Sequence, residues 1–162
     1  MRLFASALVL AVAILAAPSA TAQSGWGMSA PIRGYVGEPL SPLSPVHRYW
    51  AACVGESGEV AVRACGRVIG ARVSRIHTAS AHYFRSVSLS AAGEDERALR
   101  DLRRAYYTFT DIVRANDRDA LALYGRGLSL VQMGHQTEGE ADMARAAALS
   151  EGEAGQFFDI SG

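Results

Sequence analysis

The stretch AHYFRSVSLSAAGEDERALRDLRRA (residues 81–105) is written a second time, with changes, as ALYGRGLSLVQMGHQTEGEADMARA (residues 122–146). Ala81/Ala122, Tyr83/Tyr124, Arg85/Arg126, Ser88/Ser129, Leu89/Leu130 and Gly93/Gly134 recur in register. The register continues past the glycine through Ala98/Gly139, Asp101/Asp142, Leu102/Met143 and Ala105/Ala146. Apolar and small residues fall at helical spacing on both sides of a glycine that can turn the chain. The unit is therefore helix, turn, helix, repeated every 41 residues. A lone hairpin cannot bury its apolar face, so such units stack.

The second helix of the first unit is the strongest in the chain. Ala98, Leu102, Ala105, Tyr106, Phe109, Ile112 and Val113 form one apolar face. Glu94, Asp95 and Glu96 sit in its first turn, where the helix dipole favours acids. Arg97 and Asp101 stand four apart, a spacing that permits pairing along the surface. The same periodicity predicts helices over 46–54, 58–70, 74–91, 94–115, 118–133 and 137–149, and no stretch alternates with period two. The class is all-α. A degenerate first hairpin, 46–70, precedes the repeats 74–115 and 118–149; its EVAVRACGRVIG places Ala61, Cys65 and Val68 in register with Ala98, Leu102 and Ala105.

The two repeats resemble the tetratricopeptide repeat family in their small Ala and Gly positions, their turn glycine and the large apolar residue on the second helix. They depart from it in period, about 34 residues in the family, and in lacking its Trp and closing Pro; Gly139 stands where an Ala is expected. The resemblance implies a tetratricopeptide-like α-solenoid of about six helices, whose first helices line a concave groove. By position match, that groove would take Ser80, Tyr83, Val87, Ser90 and Ala91, then Leu121, Tyr124, Leu128, Val131 and Gln132. Two tyrosines among small and apolar residues could grip a peptide; the alternative is that Tyr83 and Tyr124 pack against the next hairpin.

The repeated arginine has an expected partner. Arg85 and Asp101 lie eight residues either side of Gly93, and Arg126 and Asp142 eight either side of Gly134. Residues equidistant from the turn of an antiparallel hairpin face one another, so each arginine is expected to bridge its own hairpin with a two-pronged hydrogen bond. In the degenerate hairpin Arg48 has only Ala64 at the matching place.

Arg2 followed by LFASALVLAVAILAA and a small-residue exit has the layout of a secretory signal peptide over 1–22, with cleavage expected after Ala22. The apolar run is shorter than the ~20 residues of a membrane span. Residues 23–45 are rich in Pro and Gly and read as a flexible linker. The expected location is periplasmic or secreted, with no membrane insertion after cleavage. Cys53 and Cys65 are the only cysteines. In an oxidising compartment a disulfide is favoured, although a hairpin turning at GESG would set Cys53 opposite residue 60; two buried thiols or a zinc site are the alternatives. In the tail, 151–162, Phe157, Phe158 and Ile160 are available to cap the far end of the stack or to meet a partner.

Sixteen basic side chains, all of them Arg, balance sixteen acidic ones, which argues against nucleic-acid binding. His47, His77, His82 and His135 show no ligand pairing, and no catalytic, phosphate-binding or metal motif is present. No cofactor, metal or enzymatic activity is expected. The expected role is an exported adaptor or scaffold that binds another protein. The alternatives are an accessory subunit of a cell-envelope enzyme and a small-molecule or glycan sensor.

Overall fold

The computed structural model describes residues 44–151 and 153–158; the expected signal peptide, most of the linker and Ile160 lie outside them. The described residues form α1 (Pro45–Gly55), α2 (Gly58–Gly70), α3 (Arg75–Ala91), α4 (Asp95–Ala115), α5 (Ala120–Gln132), α6 (Gln136–Ser150) and α7 (Glu153–Phe158), with no strand among them. Six of these match the periodicity of the sequence to within two residues. The seventh, α7, is an addition.

The boundaries follow from local chemistry. Ser44 caps α1 ahead of Pro45, a residue that fits the first turn because its missing N–H is not needed there. Ser74 accepts from the His77 amide to open α3. Asp119 accepts from the Ala122 amide at 2.9 Å, so α5 begins two residues later than the periodicity predicts. Both repeat turns end in the same way. Gly93 and Gly134 adopt φ of +76° and +90°, which only glycine takes without strain. The amides of Glu94 and His135 then reach back to the carbonyls of Leu89 and Leu130, each at 2.9 Å.

Consecutive helices pack on one another throughout. Beyond these neighbours, α1 touches α3, α3 touches α5, and α5 touches α7, whereas no two of α2, α4 and α6 meet. The odd-numbered helices thus form an inner layer and the even-numbered ones an outer layer. Phe84, Phe109, Leu123 and Phe157 are buried in the core, along with a row of alanines that lets the helices approach closely. Closest of all are α5 and α6. A Cβ at Gly139 would lie 2.6 Å from the Gly127 carbonyl, and one at Gly127 would lie 2.6 Å from that of Gly139. This is why Gly139 stands where an alanine was expected. Gly125 is held to glycine by a ring: a Cβ there would come within 2.4 Å of Phe109.

Cys53 and Cys65 form a disulfide with Cα atoms 4.6 Å apart. The first hairpin is therefore not in the register that set Cys53 opposite residue 60. Glu56 and Ser57 are both extended, at ψ of 174° and 171°. Two extended residues carry the chain roughly 7 Å past the end of α1. About that much overshoot is needed before α2, rising ~1.5 Å per residue, returns level with Cys53 at Cys65. Closing the loop stabilises the fold by about 3 kcal/mol in the chain-entropy account. Reduction is accordingly expected to lower the unfolding free energy by that amount, read from urea titrations with and without reductant. Unchanged titrations would show that the bond contributes nothing to the folded state.

Candidate functional site

The inner layer carries an aromatic surface built from both repeats. Tyr83 and Phe84 come from α3, Phe109 from α4 and Tyr124 from α5, all drawn to one side by the helical spacing of residues 81–124. The C-terminal helix sits on this surface. The Phe158 ring stacks on Tyr124 at 5.5 Å and on Phe84 at 6.1 Å, and meets Tyr83 and Phe109 edge-on, each at 6.3 Å. Phe157 lies nearly perpendicular to Phe158 and stacks at 5.9 Å on Trp50 of α1. Trp50 in turn meets Phe84 and the His77 ring edge-on. Such offset and T-shaped pairs contribute about 0.5–1.5 kcal/mol each beyond the area they bury. Burial, with the neighbouring Tyr124 adding to it, pushes the Tyr83 hydroxyl up to about 12, so it remains neutral. Burial alone lowers His77 below its ordinary value.

The tail residues Phe157 and Phe158 therefore turn inward across the inner layer, touching α1, α3, α4 and α5, and do not simply cover the end of α6. The other expected groove residues are dispersed. Ser80 is fully buried, and its hydroxyl has no hydrogen-bond partner among the described residues. Leu121 is buried, and Val87 and Leu128 are half-buried. Val131 leans toward α6, its Cγ2 2.6 Å from where a Gly139 Cβ would stand. Ser90, Ala91 and Gln132 are exposed. Gln132 lines a separate open depression of about 770 Å³ between α4 and the α5–α6 turn, with Leu99, Arg103, Tyr106, Tyr107 and Met133. Trp50 and Phe84 complete the aromatic surface and were not singled out from sequence, and Phe109 was read only as part of the apolar face of α4. Their only prior signal was size, which does not distinguish core from site.

Each repeat also carries a matched ion pair. Arg85 donates from Nε and an Nη to the two oxygens of Asp101 at 2.6 and 2.8 Å, and Arg126 does the same to Asp142 at 2.6 and 2.7 Å. Each spans its own hairpin, as turn symmetry requires. The hydrogen bond to Asp142 raises the Arg126 guanidinium above its ordinary value. Asp101 has a further partner in His82, whose Nδ1 lies 2.9 Å from Oδ1. The matching residue in the second repeat is Leu123, so a histidine in a leucine's place was the available signal. Burial opposes ionisation of Asp101, but the hydrogen bonds and charges of His82 and Arg85 outweigh it and hold the carboxyl well below its usual range. The surface pairing of Arg97 with Asp101 does not form: Arg97 bridges Glu94 instead, because Asp101 points into the hairpin and is buried.

With Arg126 and Asp142 only one-fifth and one-seventh exposed, their pairing resists screening. A double-mutant cycle on Arg126 and Asp142 is expected to show a coupling of about 1–3 kcal/mol, whereas Arg48→Ala, exposed and without a carboxylate partner among the described residues, is expected to be neutral. Additive effects for Arg126 and Asp142 in urea unfolding would contradict this assignment.

Among the described residues no group of three His, Cys, Asp or Glu could hold a metal ion, and no helix is long and apolar enough to cross a membrane. The arrangement offers an apolar, aromatic seat for a short helix; Arg126 and Asp142 line the separate depression beside α4. No family model matches the chain, and neither a curated protein nor a solved structure matches it.

Proposed function

We propose that this chain is an exported, tetratricopeptide-like stack of helical hairpins that binds another protein through its inner aromatic face. The observation that carries the proposal is the seating of α7: Tyr83, Phe84, Phe109, Tyr124 and Trp50 hold a six-residue helix by two side chains. Holding a short aromatic helix is the chemistry of a helix-in-groove recognition surface. The disulfide suits an oxidising compartment, in keeping with export. An adaptor or scaffold role follows, with an accessory subunit of a cell-envelope enzyme as one form of it.

The test is site-specific photocrosslinking from position 128 on α5, beside the seat, in the native envelope fraction. One defined protein is expected to be captured, and Tyr83→Ala with Tyr124→Ala is expected to abolish the capture while the variant stays folded by circular dichroism. Capture that survives both substitutions would remove the inner face from the interaction. A second reading, a small-molecule sensor, draws on the open depression beside α4, where Tyr107 and Leu99 remain exposed. That reading requires ligand-dependent melting of the purified protein with no protein partner present.

A further inference from the structure

The seat of α7 has two slots of different shape. One is the face of Trp50, which takes Phe157. The other is a box of Tyr83, Phe84, Phe109 and Tyr124, which takes Phe158. The two rings they hold stand at 82° to one another with centroids 4.7 Å apart. Adjacent side chains at the end of a helix can be presented in this way, and every wall of the box is an uncharged ring. The slots therefore select an aromatic pair and offer nothing to a charged peptide.

What occupies the seat is held by the seat and not by its own helix. α7 has six residues, about half the length at which an isolated helix becomes even marginal, so its order comes from the seat. Its link to α6 passes through Glu151, whose φ of +49° is the only positive value at a non-glycine residue among those described, a conformation that costs a side-chain-bearing residue energy. Among the described residues the Ser150 side chain spans the joint: its Oγ accepts from the Ala154 amide at 3.1 Å and donates to the Ala146 carbonyl at 2.9 Å.

We propose that α7 is an in-chain stand-in for an external ligand: a segment of another protein that presents two adjacent aromatic side chains at the end of a short helix and competes with α7 for the same two slots. The inference rests on the protein-binding reading above and adds the chemistry of the ligand. A tethered occupant acts at an effective concentration in the millimolar range. The seat is thus closed to weak aromatic peptides and opens to a ligand that adds contacts outside the slots.

The experiment uses the purified chain and a fluorescent peptide, SEGEAGQFFDISG, which copies residues 150–162. Binding is followed by anisotropy. Because the apparent affinity scales with the fraction of seats that are open, the Phe157→Ala/Phe158→Ala chain is expected to bind the peptide at least about a hundredfold more tightly than the unaltered chain. A peptide with both phenylalanines replaced by alanine is expected to bind neither. Equal affinity for both chains, or no binding by the folded double variant, would overturn the proposal. If the double variant does not fold, Phe158→Leu keeps an apolar group in the box and loosens α7 without emptying the seat. Its affinity is expected to exceed that of the unaltered chain by about tenfold, and no gain would overturn the proposal equally. Failure here leaves photocrosslinked capture through the inner face intact, and absence of that capture leaves the peptide competition intact, so the two conclusions fall separately.

Discussion

Replacing Phe158 with alanine is expected to lower the unfolding free energy by about 4 kcal/mol, within the range for removing a buried phenylalanine. Phe158 is buried and stands in contact with Phe157, Tyr83, Phe84, Phe109 and Tyr124. Its loss empties the larger slot and leaves α7, too short to order itself, with Phe157 as its main anchor. For a domain of this size each kcal/mol moves the melting temperature by about 4–6 °C, so a drop of about 20 °C in a circular-dichroism melt is the expected reading. The loss is capped by the free energy with which α7 docks, because beyond that the chain stays folded with the helix released. The melt and the peptide competition must therefore agree: 4 kcal/mol of docking corresponds to a closed-to-open ratio on the order of a thousand. A melting temperature changed by less than about 5 °C would mean that the inner face does not depend on α7.

Asp101→Asn is expected to cost about 3–5 kcal/mol at neutral pH, the cost of stranding a buried charge whose partner is removed. Arg85 would retain its full charge with no carboxylate to hold it, in a site where Asp101 itself is only 5% exposed. The substitution is also expected to change the acid limb of the stability profile. The folded carboxyl titrates well below its unfolded value because Arg85 and His82 favour the ionised form over the opposition of burial. The unfolded chain therefore binds the proton first as pH falls. The stabilisation is complete above the unfolded value near pH 4 and is lost progressively as the pH drops below it. Urea titrations between pH 2 and pH 7 should show a steep decline for the unaltered chain and a shallower one for Asp101→Asn. Parallel declines would mean that Asp101 ionises alike in both states.

Both residues illustrate what the sequence made legible. Asp101 was found by symmetry about Gly93, because an antiparallel hairpin fixes which residues face one another from the turn alone. The apolar stripe of α4 and its acidic first turn gave a helix end to end for the same reason: the information is local. His82 as a second partner of Asp101 was not found, since a histidine on a buried face has many possible neighbours. The destination of Phe158 was not legible either. Its size marks it as buried, but which face it meets depends on how the layers curve, and that is set by close approaches such as Gly127 to Gly139. The register of α1 on α2 turned on two extended residues, Glu56 and Ser57, in a segment with no periodicity to read. The groove positions taken from the family resemblance scattered for a related reason. Val131 follows the helix face of this chain, where α6 lies close against α5, and an alignment by position does not carry that spacing.

The stacking of Phe157 on Trp50 joins residues 107 positions apart in the chain. A polypeptide is made from its N-terminus onward. Trp50, Tyr83, Phe84, Phe109 and Tyr124 are therefore all present before the residue that covers them. At synthesis rates of about 5–20 residues per second, the interval between Trp50 and Phe158 is on the order of ten seconds. During it the chain displays an uncovered aromatic face, attractive to chaperones and to other nascent copies. The disulfide, by contrast, joins neighbours and needs nothing downstream. Both cysteines of the first hairpin are in place before α7 is made, which leaves the covering of the aromatic face to α7.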